Sequence, residues 1–209
     1  MKAPAQLKTL DDLMAQAGHY AEFCFRKSGR MAPTLFLIGP EGPLMFVPES
    51  MADEHEKDNF ANTARLVGIA YGATACVMAL EAWLKLAKPG EQLDVTELPS
   101  EAIDRQEVVV LMGEDRSGHR QQFLQIIRSD NGKFFGFNEA EIPIADKVTG
   151  RFAQILPREA PDAEMQLLAR TVLRVKGVKV IRLGKPRRFR KYAVIVCGGN
   201  QKRTLYSRL

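Results

Sequence analysis

At 209 residues, 45% hydrophobic and 26% charged, the chain is long enough for one domain with a real core and too apolar for wholesale disorder. Its net charge of +5 hides a segregation: residues 1–164 carry 17 Lys+Arg against 25 Asp+Glu, whereas residues 165–209 carry 13 Lys+Arg and no acid. No apolar run approaches the roughly 18 residues of a membrane span, and Met1 to Lys8 lacks the apolar core of a secretory leader, so a cytoplasmic chain with no membrane association is expected.

In chain order, the first predicted element is a helix from Thr9 to Lys27, with Leu10, Leu13, Met14, Ala17, Ala21 and Cys24 on one stripe. Thr9 and Asp12 have capping-box spacing and Gly29 is a natural stop. Two strands follow, Thr34 to Ile38 and Leu44 to Val47, joined by a loop rich in Gly and Pro. Leu35-Phe36-Leu37-Ile38 is apolar throughout, which predicts cover on both faces of that strand. A second helix starts at Asp53, capped with Glu56, and buries Phe60, Ala64, Val67 and Tyr71. Residues 72–87 fit either state: Ala, Met and Leu favour helix, while Gly68 and Gly72 argue against one unbroken helix. A buried strand from Thr74 to Trp83 is the preferred reading.

After a polar stretch to Arg105 comes an antiparallel meander, Glu107 to Met112, Gln121 to Arg128 and Lys133 to Phe137, its second turn marked by Asn131-Gly132. Periodicity fades over residues 139–161, a linker or wrapping segment. Asp162 then caps a third helix, with Leu168, Val172 and Val175 on one side, ending at Gly177. Lys179 to Leu183 and Tyr192 to Cys197 read as two strands around a basic turn. The expected fold class is α+β: an acidic body, residues 1–150, in which an antiparallel sheet carries two helices on one face, then a small basic helix–hairpin module, residues 162–209.

The basic module is the leading functional candidate. Lys179, Arg182, Lys185, Arg187, Arg188, Arg190 and Lys191 crowd one hairpin, with Phe189 among them. Guanidinium forks match phosphate oxygens, and an aromatic ring stacks on an exposed base. The competing explanations are docking of this charge on an acidic protein surface, including the body itself, and simple solvation.

Other constellations have plainer explanations. His19, His55 and His119 lack metal-ligand spacing and no cysteine pair accompanies them, so no metal is expected. Asp53-Glu54-His55-Glu56 is explained by helix capping and the helix dipole. Cys24, Cys76 and Cys197 read as buried free thiols in a reducing compartment. Glu81, a carboxylate within an apolar stretch, needs a partner or a shifted pKa. Arg105 or Arg128 is the expected partner in a structural ion pair, and a functional carboxylate is the alternative. No phosphate-binding glycine loop, serine-nucleophile motif or cofactor signature is present. The sequence therefore predicts a non-catalytic, nucleic-acid-associated or regulatory binding protein. A protein–protein adaptor or homodimer comes second, and an enzyme built on Glu81 third.

Overall fold

The computed structural model describes residues 7–48, 50–85, 101–140, 150–182 and 193–196, without the side chains of residues 179–182 and 193–196. In chain order the elements are helix α1 (Leu10–Ser28), strands β1 (Thr34–Gly39) and β2 (Gly42–Val47), helix α2 (Glu54–Ala70), strands β3 (Ala75–Leu84), β4 (Gln106–Asp115), β5 (His119–Arg128) and β6 (Phe134–Glu139), helix α3 (Ala163–Val175), and short strands β7 (Lys179–Arg182) and β8 (Ala193–Val196). The fold is α+β. Strands β6-β5-β4-β3-β1-β2 form an antiparallel sheet, and β8 pairs parallel to β2 with β7 antiparallel outside it.

α1 starts and stops on local chemistry. The Thr9 hydroxyl accepts from the Asp12 N–H at 3.1 Å, and the Asp12 carboxylate accepts from the N–H groups of Lys8 and Thr9 in return. Those donors hold the Asp12 carboxyl below its usual range. Gly29 takes the left-handed conformation, φ 70°, and its N–H closes on the Phe25 carbonyl at 2.9 Å. α2 is capped by Asp53, whose carboxylate accepts from the Glu56 N–H at 2.7 Å.

Residues 72–87, ambiguous by composition, contain strand over Ala75–Leu84. α2 stops at Ala70, Gly72 turns the chain with φ 56°, and β3 pairs with β1 on one side and β4 on the other. The β4 ladder runs the length of β3 and the β1 ladder covers Ala75–Ala79, and this pairing overrides the helix propensity of Ala, Met and Leu. β4 and β5 reach further than their apolar centres predict. The Asp115 carboxylate accepts from the Ser117 hydroxyl and from the N–H groups of Ser117 and Gly118, so the ladder stays paired up to the turn.

The expected placement of two body helices on one face is corrected: α1 and α2 lie on opposite faces. Alternate strand residues divide between two cores. Phe36, Val77, Val109 and Leu111 pack with Leu13, Ala17 and Phe25 of α1. Leu35, Leu37, Phe46 and Met78 pack with Phe60, Ala64 and Val67 of α2. The cause is β1 itself, buried at every position. A strand apolar on both sides of its pleat needs cover on both sides.

α3 shares the α2 face and buries Ala169 and Leu173 there. The side that carries Leu168, Val172 and Val175 lies largely outside this contact: Leu168 is 65% exposed and Val175 84% exposed. The apolar arc of α3 runs from Leu173 and Ala169 through Met165 and Val172 to Leu168 and Val175, and its packing covers only the first part.

Of the junction residues 139–161, positions 141–149 lie outside the described residues. The described part is tied to the body. The Arg65 guanidinium donates to the carbonyls of Arg151, Ala153 and Gln154 at 2.8, 3.1 and 3.3 Å. Ile155 and Leu156 are buried in the α2-side core.

Gly39 tests the seating of the β1–β2 turn against α2. A Cβ there would stand 2.8 Å from the Tyr71 carbonyl oxygen, which belongs to backbone and cannot swing aside. Gly39→Ala is expected to cost about 1–3 kcal/mol, lowering the melting temperature by roughly 2–12 °C in a thermal melt.

Candidate functional site

The basic C-terminal segment is described only in part. Lys179 and Arg182 belong to β7, the last strand in the sheet order and so an edge. Lys185, Arg187, Arg188, Phe189, Arg190 and Lys191 lie outside the described residues. Leading into β7, α3 starts at Asp162, whose carboxylate accepts from the Met165 N–H at 2.7 Å, and Gly177 follows it with φ 73°.

Among the described residues the first cations of the segment meet no acid. Arg170 donates to the Ala70 carbonyl at 2.8 Å and lies 5.5 Å from the Tyr71 ring centroid. Its acceptor is neutral and sits at the C-terminal end of α2, where the helix dipole favours a cation. Arg174 and Lys176 are exposed, and among the described residues no carboxylate pairs with either. The ion pairs that are described, such as Arg26 with Glu22, Arg128 with Glu107 and Arg151 with Glu54 and Asp58, all join residues before position 165.

Glu81 lies on β3 opposite Val109, on the α1 face beyond Val77 and Ala79. It is half-buried, and its carboxylate accepts the N–H of Met31 in the connection after α1. The arginines expected to pair with it have other direct contacts. Arg128 closes a fork on Glu107, with Nε and Nη2 each at 2.7 Å, and also donates to the Gly29 carbonyl at 3.3 Å. Arg105 lies over the Trp83 ring, 4.7 Å from its centroid. Burial pushes the Glu81 carboxyl up, opposed by the Met31 N–H; Glu107 adds repulsion, while Arg128 and Arg30 stabilise the charged form.

A glutamate whose pKa rises on folding binds a proton more tightly in the native state. Its contribution to stability therefore falls as pH climbs from the ordinary glutamate range through the raised value. Glu81→Gln keeps an oxygen acceptor for Met31 and removes the charge. Its melting temperature relative to wild type is expected to rise between about pH 4 and pH 8. A direct ion-pair role would instead give a loss of about 3–5 kcal/mol near neutral pH.

The remaining candidates are engaged in local structure. Glu56 accepts from Ser50 Oγ at 2.6 Å and from the Ala52 N–H at 2.7 Å, Glu54 pairs with Lys57 at 2.6 Å, and His55 Nε2 lies 3.0 Å from Asn59 Nδ2. Burial pushes the Cys24 thiol up, and the fully buried Cys76 thiol rises well above its ordinary range, with Glu114 and Asp115 adding to the effect. Thiols held neutral in this way are poor nucleophiles. Among the described residues no cluster of three or more His, Cys, Asp or Glu is placed to hold a metal, and no helix is long and apolar enough to cross a membrane.

Sequence reasoning missed the Met31 N–H and the Gly29 carbonyl as partners of this charge cluster. Backbone groups carry no residue-type signal, and the Glu81 and Arg128 contacts span 50 and 99 residues. No family model, curated protein or solved structure matches the chain.

Proposed function

We propose that the protein is a cytoplasmic, non-catalytic nucleic-acid-associated or regulatory binding protein, in which a basic helix–hairpin module, residues 162–209, contacts phosphates beside an acidic body, residues 1–150. The observation that carries this reading is uncompensated charge. Residues 165–209 hold 13 Lys+Arg and no acid, and among the described residues Arg170, Arg174 and Lys176 meet no carboxylate of the body. The contacts by which the module meets the body, Ala169 and Leu173 in the α2-side core, Arg170 on the Ala70 carbonyl and the β8–β2 ladder, use no carboxylate, so they leave this charge uncompensated.

Uncompensated positive charge draws polyanions over a Debye length of about 8 Å at physiological salt. Lys179 and Arg182 begin the contact surface at a sheet edge. Lys185, Arg187, Arg188, Arg190 and Lys191 supply the phosphate contacts, and Phe189 stacks on unpaired bases. Fluorescence anisotropy with labelled single- and double-stranded probes tests the reading: affinity that falls steeply with salt supports it, and absence of binding near 50 mM salt removes it.

A second reading has its own support. Met165, Leu167, Leu168 and Val175 expose apolar surface along α3, a composition suited to a protein partner or a second copy of the chain. It takes first place if anisotropy finds no binding, and sedimentation then separates self-association from a foreign partner.

A further inference from the structure

A cleft of about 690 Å³ opens on the α2 side of the sheet, between the β4–β5 turn and residues 152–158. That volume is in the range of small-molecule sites. Its floor is apolar, built from Met112, Phe152, Ile155, Leu156 and Pro157.

The charged groups around the cleft are unevenly engaged. The Glu114 carboxylate accepts from the N–H groups of Ile155 and Leu156 at 3.0 and 3.2 Å. Asp115 accepts from Ser117 and Gly118, and the Ser117 hydroxyl leads the donors that hold its carboxyl below the usual range. Both acids thus serve the protein's own backbone and turn. Arg116 and Arg158 also line the cleft, and both are exposed. Among the described residues neither donates a hydrogen bond or forms an ion pair, whereas the two acids that line the cleft, Glu114 and Asp115, both have donors.

The wall between these groups is set in advance. Gln154 holds φ 55°, the sole positive φ of a non-glycine among the described residues. Such a conformation persists only where the surroundings impose it. Here Arg65 ties down the carbonyls of Arg151, Ala153 and Gln154. A wall ordered without ligand lowers the ordering cost of binding.

We propose that this cleft binds a small organic oxyanion, a carboxylate or phosphate on an apolar body, with its head group held by Arg116 and Arg158 and its body on Phe152, Met112 and Pro157. Two guanidinium forks with no partner among the described residues suit such a head group, and Glu114 and Asp115, the acids lining the cleft, are already engaged by their own donors. The site is separate from the basic C-terminal segment and does not depend on nucleic-acid binding.

The test is fluorescence titration of the full chain with 8-anilinonaphthalene-1-sulfonate, an apolar aromatic anion. Wild type is expected to show one saturable site. Arg116→Gln with Arg158→Gln should weaken it by about 10- to 100-fold, as loss of charge-assisted hydrogen bonds implies. Because neither arginine holds the fold together, the double variant should melt within about 2 °C of wild type. Leu168→Asp, on the exposed arc of α3, should leave the titration unchanged. Phenyl phosphate or phenylacetate should displace the probe at concentrations where inorganic phosphate and acetate do not, and their ranking assigns the head group. The proposal is overturned by absence of a saturable site, by wild-type binding in the folded double variant, by loss of binding in Leu168→Asp, or by equal potency of the inorganic anions.

Discussion

Phe46→Ala is expected to lower the free energy of unfolding by about 3–5 kcal/mol, and Phe36→Ala by a similar amount, with the damage on opposite sides of the sheet. Both rings are fully buried, in neighbouring strands where Leu35 pairs with Phe46 and Phe36 with Met45. Their surroundings differ. The Phe46 ring lies 5.2 Å from Phe60 of α2, whereas the Phe36 ring meets Tyr20 of α1 edge-on at 5.3 Å. Each truncation removes transfer free energy and leaves a cavity in one core only. Denaturant melts should give the total loss, and the melting temperature should fall by roughly 6–20 °C. Native-state hydrogen exchange locates it, since local opening reports the elements that lose contacts. Phe46→Ala should release α2 amides more than α1 amides, and Phe36→Ala the reverse. Greater loss in α1 on Phe46→Ala would contradict the division of the helices between the two faces.

Arg187→Glu with Arg188→Glu is expected to weaken nucleic-acid binding on the order of 100-fold near 100 mM salt, because two phosphate contacts are lost and two repulsions gained. If Lys185, Arg187, Arg188, Arg190 and Lys191 each neutralise about one phosphate, log K should fall against log salt with a slope of roughly −4 to −5 on duplex DNA. Wild-type affinity would then drop a few hundred-fold between about 50 and 200 mM salt, and the variant's slope would be shallower by about 2. The loss should be the same for every probe sequence, since phosphate contacts position a protein without reading bases. Phe189→Ala should matter more on single strands, where base stacking contributes about 1–3 kcal/mol. Anisotropy across that salt range reads all of these. A charge-reversed variant that binds as well as wild type would exclude this turn as the phosphate-binding surface.

Local structure was legible in the residues because its causes lie within a few positions of each other. Thr9 with Asp12, Asp53 with Glu56, and Asp162 with the Met165 N–H all close over three residues, so side-chain type and spacing suffice to place a helix start. Gly29, Gly132 and Gly177 stand at turns with φ of 70°, 75° and 73°, a region that few other residues tolerate. The charge segregation is a property of composition and needed no coordinates.

What the chain order could not supply was the partner of each surface. The all-apolar run Leu35-Phe36-Leu37-Ile38 demanded cover on two sides, yet nothing in α1 or α2 states which side each takes, because a helix stripe fits any apolar face. The arc of α3 was wide enough to be buried in more than one way. Its contact falls on Ala169 and Leu173, and it leaves Leu168 and Val175 in solvent. Strand formation over Ala75–Leu84 required β1 and β4 on either side, against the helix preference of several of its residues. The Glu81 contact with Met31, and the cleft closed where Glu114 holds the backbone of Ile155 and Leu156 across about 40 residues, depend on groups that meet only after the sheet has formed. Burial and pairing at such distances are decided by which surfaces arrive together, so they belong to the tertiary structure alone.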